Sequence, residues 1–185
     1  MIAKERTKAE IEVKLSGLGD FVKIEYLENC LKLDLPFEVR RFVLEKLAEI
    51  NESKNMFSEA ARRISAAADI TTTYQDKMRM FLKQAELLVK AGQYQQADET
   101  FGKALACGNN QEKIEAKTKF KEIYKKQAEM YEKGEKRINA MKAYEKLLSL
   151  TENKTEQIAI KEKLLKLYEQ LGKMQNYFAM KQQLG

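Results

Sequence analysis

The side chains that most often carry out chemistry in proteins are scarce in this sequence. It contains no histidine, which removes the commonest general base and the commonest zinc ligand. Its two cysteines, Cys30 and Cys107, lie 77 positions apart and have no histidine with which to form a nucleophilic pair. Two thiols are too few for a four-thiolate metal site, so we interpret both as reduced, structural cysteines.

Acidic and basic side chains remain, but many have the spacing of exposed helix pairs. Glu122 and Lys126 are four residues apart, as are Glu129 and Lys133. Such pairs usually stabilise a helix by only about 0.2–0.5 kcal/mol. The sequence therefore predicts that the protein is not an enzyme, and it indicates no catalytic, cofactor-binding or metal-binding residue and no cofactor.

A possible phosphate-binding loop near the start of the chain does not continue. Gly17 and Gly19 have the first spacing of such a loop, yet no further glycine follows at the required position and no strand precedes them. A turn explains the pair more simply. We therefore predict a charged tail or marginal helix over residues 1–19 and a single domain over residues 20–185.

The rest of the chain has the composition and period of an all-α protein. It has one proline, Pro36, and eight glycines, while good helix formers dominate. Asp20 is predicted to cap the helix over 21–33, and Pro36 to lie in the first turn of the next. The helical period predicts further helices at about 36–50, 56–69, 74–91, 93–107, 111–133, 135–150, 154–171 and 173–184. Short links between them predict antiparallel neighbours.

The sequence also bears on location. No apolar run approaches the roughly 20 residues needed to span a bilayer. The first 20 residues are charged and lack the apolar stretch of a secretory signal. These features predict a cytoplasmic protein without a membrane span.

Charge is unevenly distributed along the chain. Residues 1–76 carry 12 Lys or Arg and 14 Asp or Glu, a net charge of −2. Residues 77–185 carry 22 and 14, a net charge of +8. A basic half of this kind could attract nucleic acid or an acidic peptide. Because acidic residues are interleaved throughout, solvated helix faces explain the charge more simply, and nucleic-acid binding is the less favoured alternative.

Residues 78–111 have the spacing of a helix–turn–helix repeat. Ala85 lies on the first helix, and Gly92 ends it with the positive φ that such a turn requires. Ala97, Phe101 and Ala104 then recur at intervals of four and three on one face of the second helix. Small alanines let two helices approach closely, and the aromatic ring fills the groove beside them.

Together with Tyr94, this pattern resembles the tetratricopeptide repeat family. Weaker matches to the same pattern place Ile64, Phe101 and Tyr144 at equivalent repeat positions, 37 and 43 residues apart. These intervals exceed the family's usual 34 or so. In the repeat that contains Tyr144, Gly134 lies one position before the expected turn glycine. The irregular array is more similar to the soluble NSF attachment protein group.

The resemblance implies a right-handed TPR-like α-solenoid of stacked antiparallel helical hairpins over residues 20–185. It also implies a scaffold or adaptor for protein–protein interaction, which presents a concave groove to a peptide or helix. Nucleic-acid binding by the basic half and self-assembly through the last helix are the alternatives. The expected partner is a protein or peptide of unknown identity.

In this family the first helix of each hairpin lines the inner groove. Two adjacent lysines there could clamp an acidic side chain or a C-terminal carboxylate. Glu86 and Glu129 stand where family members that clamp a carboxylate use asparagine, which argues against the standard clamp. Taken singly, each inner charge is equally well explained as part of a solvated helix face. By register, the candidate groove residues are Arg79, Lys83, Glu86, Lys90, Lys125, Lys126, Glu129, Lys133, Lys163 and Lys166.

The last helix offers a second candidate surface. In KMQNYFAMKQQL, residues 173–184, no following repeat is available to cover Tyr177, Phe178 and Met180. This helix either caps the array or packs on a partner or a second copy, which would make the protein a homo-oligomer. A mass that rises with concentration would separate these possibilities.

Overall fold

The computed structural model describes residues 3–184, and this part of the chain forms ten α-helices and no strand. The predicted all-α class is confirmed. The helices are α1 Lys8–Leu15, α2 Asp20–Cys30, α3 Phe37–Ser53, α4 Phe57–Asp69, α5 Tyr74–Lys90, α6 Tyr94–Cys107, α7 Asn110–Lys133, α8 Arg137–Ser149, α9 Lys154–Gln170 and α10 Met174–Gln182.

The chain divides into two compact units, Met1–Lys113 and Ile114–Gly185, and the boundary falls inside α7. In the first unit, α2 packs on α3, α3 on α4, α4 on α5 and α5 on α6. In the second, α8 packs on α9 and α9 packs on α10. Links of a few residues join these packed helices, so they form helical hairpins. The division into residues 1–19 and 20–185 stays a prediction.

The same C-terminal turn follows α3, α5, α7 and α9. Each turn has one residue with positive φ: Asn55 at 58°, Gly92 at 75°, Glu135 at 54° and Gly172 at 68°. The N–H of the next residue then donates to a carbonyl five positions back, at 2.8–2.9 Å in all four turns. This is the Schellman motif, which satisfies carbonyls left free at the end of a helix. Its fourfold recurrence marks the chain as a series of helical hairpins.

These turns reproduce the intervals predicted from the repeat positions. The left-handed residues lie 37, 43 and 37 positions apart. Helices α3, α5 and α9 have 17 residues each, whereas α7 has 24, so the longer interval arises in α7. In the third turn, the sequence pattern matched Gly134 one position early, and Gly134 is not the left-handed residue. Glu135 takes that conformation instead, at the steric cost that a Cβ atom brings.

The small residues of the best repeat lie where the helices meet. Ala85, Ala97 and Ala104 are completely buried, and Phe101 is 9% exposed. Tyr94, at the start of α6, is half-buried. The α5–α6 hairpin therefore has the register that its sequence predicts, with alanines at the helix contact and the phenylalanine ring beside them.

The N-terminal segment contains α1, which packs into the first unit. Thr7 caps this helix through a capping box. Ile11 is completely buried and Leu15 is nearly so, in one apolar cluster with residues of α2 and α3. The hydroxyl of Tyr26 on α2 donates to the carboxylate of Glu5 at 2.9 Å. These contacts join residues 5–15 to the hairpins that follow.

Two helix starts differ from those predicted. Gly19, not Asp20, precedes α2 as its N-cap, and Asp20 pairs instead with Lys54 at 2.7 Å. Pro36 precedes α3, which begins at Phe37, because ψ of Pro36 is 146° and so extended. A capping residue keeps a non-helical, extended backbone, and Gly19 and Pro36 both do so. Helix α2 therefore begins one residue earlier than predicted, and α3 begins one residue later.

Residues 3–184 contain neither a membrane-spanning helix nor a cluster of metal ligands. None of the helices there is long and apolar enough to cross a lipid bilayer. Within the same residues, no group of three or more cysteine, aspartate or glutamate side chains is placed to hold a metal ion. Cys30 is a buried free thiol and Cys107 a half-buried one.

Candidate functional site: a cleft between α7 and α9

In the first unit, the predicted groove charges of α5 are balanced by α3 and by one another. Glu52 of α3 lies 2.8 Å from the amine of Lys83 and 2.7 Å from that of Lys90. Glu86 lies 2.5 Å from Lys90 and 3.6 Å from Lys83. Burial acts to raise the pKa of Glu52, but hydrogen bonds from the two lysines lower it below its usual value. The four charges therefore form a neutral cluster.

Arg79, the remaining groove candidate on α5, also has an acidic neighbour. Its guanidinium lies 3.0 Å from the carboxylate of Asp76, one turn earlier. Asp76 also lies 3.3 Å from Arg41 of α3. Along this α3–α5 face each candidate cation is already paired, so the face lacks the surplus positive charge of a clamp for acidic groups.

In the second unit, α7 and α9 flank an open cleft of about 170 Å³. Its floor consists of three buried side chains, Tyr144 and Leu147 of α8 and Ile160 of α9, with the small side chain of Ala159 beside them. A space of this size on an apolar floor can accept an apolar side chain. The rim is charged and consists of Lys121, Glu122, Lys125 and Glu129 from α7 and Glu156 and Lys163 from α9.

Ion pairs join α7 to α9 at two levels of the cleft. Lys121 pairs with Glu156, and Lys163 lies 3.0 Å from Glu132. Lys121 and Glu132 are eleven residues apart on α7, which is roughly 16 Å along a helix. The two pairs therefore fix the separation of the flanking helices along the length of the cleft.

Three rim charges between or beside these pairs have no partner. Among the described residues, Glu122, Lys125 and Glu129 take part in no ion pair or hydrogen bond of the side chain. Glu122 and Lys125 are exposed, and Glu129 is half-buried. The charge that the rim can offer to a ligand is thus two carboxylates and one ammonium group.

The side chain of Tyr144 connects the floor of the cleft to one of the ion pairs. Its hydroxyl donates to Glu132 at 2.5 Å and accepts from Lys163 at 2.8 Å. The Lys163 amine also lies 5.0 Å from the centre of the Tyr144 ring, a cation–π distance. Burial, with the hydrogen bond to Glu132, raises the pKa of Tyr144 to about 12. The phenol is therefore neutral at physiological pH and holds Lys163 at the rim.

This network predicts an alkaline loss of stability. Because the pKa of Tyr144 in the folded protein, about 12, exceeds the ordinary value of 10.0, the unfolded chain ionises first as the pH rises. The stabilisation is complete below about pH 10 and is lost as the pH rises toward 12. We expect Tyr144→Phe to be about 1 kcal/mol less stable near neutral pH. The difference should shrink across the alkaline range in urea unfolding; a constant difference would contradict the network.

The structure brings three of the predicted groove residues of the second unit to one site. Lys125, Glu129 and Lys163 line the cleft. Lys126 and Lys133 are exposed on α7 and do not line it. Lys126 points about 100° away from Lys125 around the helix, and Lys133 lies one turn beyond Glu129. Lys166 is likewise exposed and outside the cleft. Their roles in binding stay predictions.

The sequence analysis did not predict several of the residues that line the cleft. Lys121 lies four residues before Lys125 and so shares its helix face, which the repeat register could have indicated. Glu156 and Ala159 lie on the first turns of α9, where the resemblance to tetratricopeptide repeats is too faint to set a register. Tyr144 matches a repeat core position, and nothing in the sequence shows that this residue also lines a cleft.

The candidate self-association residues on α10 differ in exposure. Phe178 is 56% exposed, whereas Tyr177 and Met180 are half-buried. The rings of Tyr177 and Phe178 meet edge to face, with centroids 5.5 Å apart. Met174, on the same helix, is 44% exposed. Self-association through this helix stays a prediction.

The fold and the cleft define an all-α protein of helical hairpins with a groove between two of its helices. Among solved structures, 31 chains are similar to it. One is the crystal structure of MamA, with 17% sequence identity, a TM-score of 0.43 and coverage of 92% of this chain and 89% of that chain. No family model and no curated protein matches the chain.

Proposed function

We propose that the chain is a protein-binding scaffold or adaptor whose α7–α9 cleft holds an apolar side chain of a peptide or helix. The observation that carries this proposal is the open cleft itself, which has three buried apolar or aromatic residues as its floor and charges at its rim. The resemblance of the sequence to tetratricopeptide repeats supports the same role. In this proposal the first helices of neighbouring hairpins form the binding surface.

The energetics favour an apolar anchor in this cleft. Water over the rings and methyl groups of Tyr144, Leu147 and Ile160 finds few hydrogen-bond partners on the floor, so its release favours binding. Complete burial of one leucine-sized side chain contributes about 1.5–3 kcal/mol. The ion pairs at Lys121 and Lys163 hold the flanking helices in place before binding, which lowers the ordering cost.

The rim charges argue for a protein ligand rather than nucleic acid. Binding to a phosphate backbone depends on surplus positive charge, and affinity falls steeply with salt. The rim has as many glutamates as lysines, and Lys121 and Lys163 are already paired with carboxylates. A single lysine, Lys125, is left to meet a phosphate among the described rim residues. Nucleic-acid binding remains a prediction about the basic half of the chain, outside this cleft.

The proposal is tested by filling the cleft. Ala159 is exposed and lines the cleft, so Ala159→Arg places a long, charged side chain over the apolar floor without disturbing the core. Peptides selected on the full chain from a random display library should bind Ala159→Arg at least about tenfold more weakly, because their anchor side chain is displaced. Fluorescence anisotropy with labelled peptides measures the affinity.

Ala106→Arg is the matched control. Ala106 is an exposed alanine on α6 of the first unit, so this variant adds the same side chain far from the cleft in sequence. It should bind the selected peptides as the wild type does. Both variants should keep the circular dichroism and melting temperature of the wild type. Selected peptides that bind all three proteins equally would place the binding surface outside the cleft.

A further inference from the structure

Helix α10 has a stripe of two apolar side chains and one basic side chain. Met174, Phe178 and Lys181 follow one another at intervals of four and three, so they share one face of the helix. Met174 and Phe178 are exposed by 44% and 56%, although they lie within a helix that packs on α9. Lys173 precedes the helix, and the sequence contains no acidic residue after Glu169. The charged side chains of residues 170–184 are therefore all basic, and they lie beside two exposed apolar ones.

The α7–α9 cleft has the complementary chemistry. Its floor is apolar, and its unpartnered rim charges are the carboxylates of Glu122 and Glu129 with the single amine of Lys125. Glu122 and Glu129 are seven residues apart and so lie on one side of α7, two turns from each other. An apolar anchor flanked by basic groups matches this floor and these carboxylates.

Contact between two copies of α10 lacks this complementarity. A symmetric pair would bring Lys173 and Lys181 of one copy toward the same basic residues of the other, and the helix offers no carboxylate to offset them. The charges therefore favour contact between α10 and a different surface, which has unpartnered carboxylates.

We propose that α10 of one copy binds in the α7–α9 cleft of a second copy, with Phe178 against the apolar floor and the flanking lysines near Glu122 and Glu129. This inference rests on the proposed function, because it assigns the anchor of that same cleft. The two surfaces differ, so the contact is head-to-tail. The resulting dimer keeps one free cleft and one free α10, and association continues beyond a dimer unless a ring closes.

Sedimentation of the full chain over a concentration series tests the inference. The weight-average mass of the wild type should rise with concentration and exceed that of a dimer. Added salt should weaken association, because rim charges at the surface are screened. Ala159→Arg should remain a monomer, while Ala106→Arg should associate as the wild type does.

Charge reversal identifies the two contacting surfaces. Glu122→Lys with Glu129→Lys makes the rim basic, and Lys173→Glu with Lys181→Glu makes α10 acidic. Each pair of substitutions should weaken self-association about tenfold, because like charges then meet at the contact. All four substitutions in one chain should restore association, because the charges are again opposite. All four substituted positions are exposed or half-buried, so folding should be retained.

Other results would overturn the inference in recognisable ways. A basic-rim variant that associates like the wild type would mean that α10 contacts another surface, such as itself. A wild type that stays monomeric, while library peptides still require an open cleft, would refute only the inference and leave the proposed function standing. A synthetic peptide of residues 173–184 that binds wild type and Ala159→Arg equally would also refute it. Loss of cleft-dependent binding for library peptides as well would refute both.

Discussion

Replacing Ala97 by glutamate is expected to lower the free energy of unfolding by about 3–5 kcal/mol. Ala97 is completely buried on α6, the helix that packs on α5. Glutamate there must force the two helices apart or bury a carboxylate without a partner, and both are costly. Urea unfolding followed by circular dichroism measures the loss.

Ala106→Glu is the matched control for this prediction. Ala106 lies on the same helix nine residues later and is exposed, so the same substitution should change the stability by less than about 0.5 kcal/mol. The difference between the two variants isolates the cost of the helix contact from any effect of glutamate on helix propensity. Equal stability of the two variants would contradict the repeat register of α5 and α6.

That register could be predicted because its determinants are local. A small residue at a helix contact and a glycine with positive φ each leave a mark at one position in the sequence, as at Ala97 and Gly92. The turns at Asn55 and Glu135 leave a weaker mark, because other residues adopt the left-handed conformation at a cost. Their common Schellman geometry became visible only from the hydrogen bonds.

The candidate site could be predicted only in part. Register assigns Lys83, Lys90 and Lys125 to the first helices of their hairpins, and each lies on such a helix. It cannot predict that Lys83 and Lys90 share Glu52 while Lys125 stays unpaired, because pairing depends on the offset between neighbouring helices. The cleft also depends on that offset, since its floor combines α8 with α9.

The N-terminal segment shows a further limit of local reasoning. Helix α1 has only eight residues, and a helix of that length is unstable on its own in water. Its charged sequence therefore predicted a tail or a marginal helix. Two apolar residues one turn apart, Ile11 and Leu15, provide the face that packs on α2 and α3. Packing, not propensity, is what orders such a helix.

Replacing Ile11 by alanine is therefore expected to destabilise the protein by about 2–4 kcal/mol. Ile11 is completely buried, so truncation removes apolar contact and leaves a cavity between α1 and its neighbours. Val13→Ala is the control on the same helix, because Val13 is 75% exposed, and its effect should be below about 0.5 kcal/mol. Urea unfolding of both variants gives the comparison.

The comparison of Ile11 with Val13 also decides where the folded domain begins. A large loss for Ile11→Ala alone would mean that α1 unfolds together with α2 and α3, so that the domain starts before residue 19. Equal, small effects would mean that α1 detaches at little cost, and the predicted boundary between residues 19 and 20 would stand. The cluster formed by Ile11 and Leu15 with Tyr26 and Leu27 of α2 favours the first result, because it joins α1 to the core of the first unit.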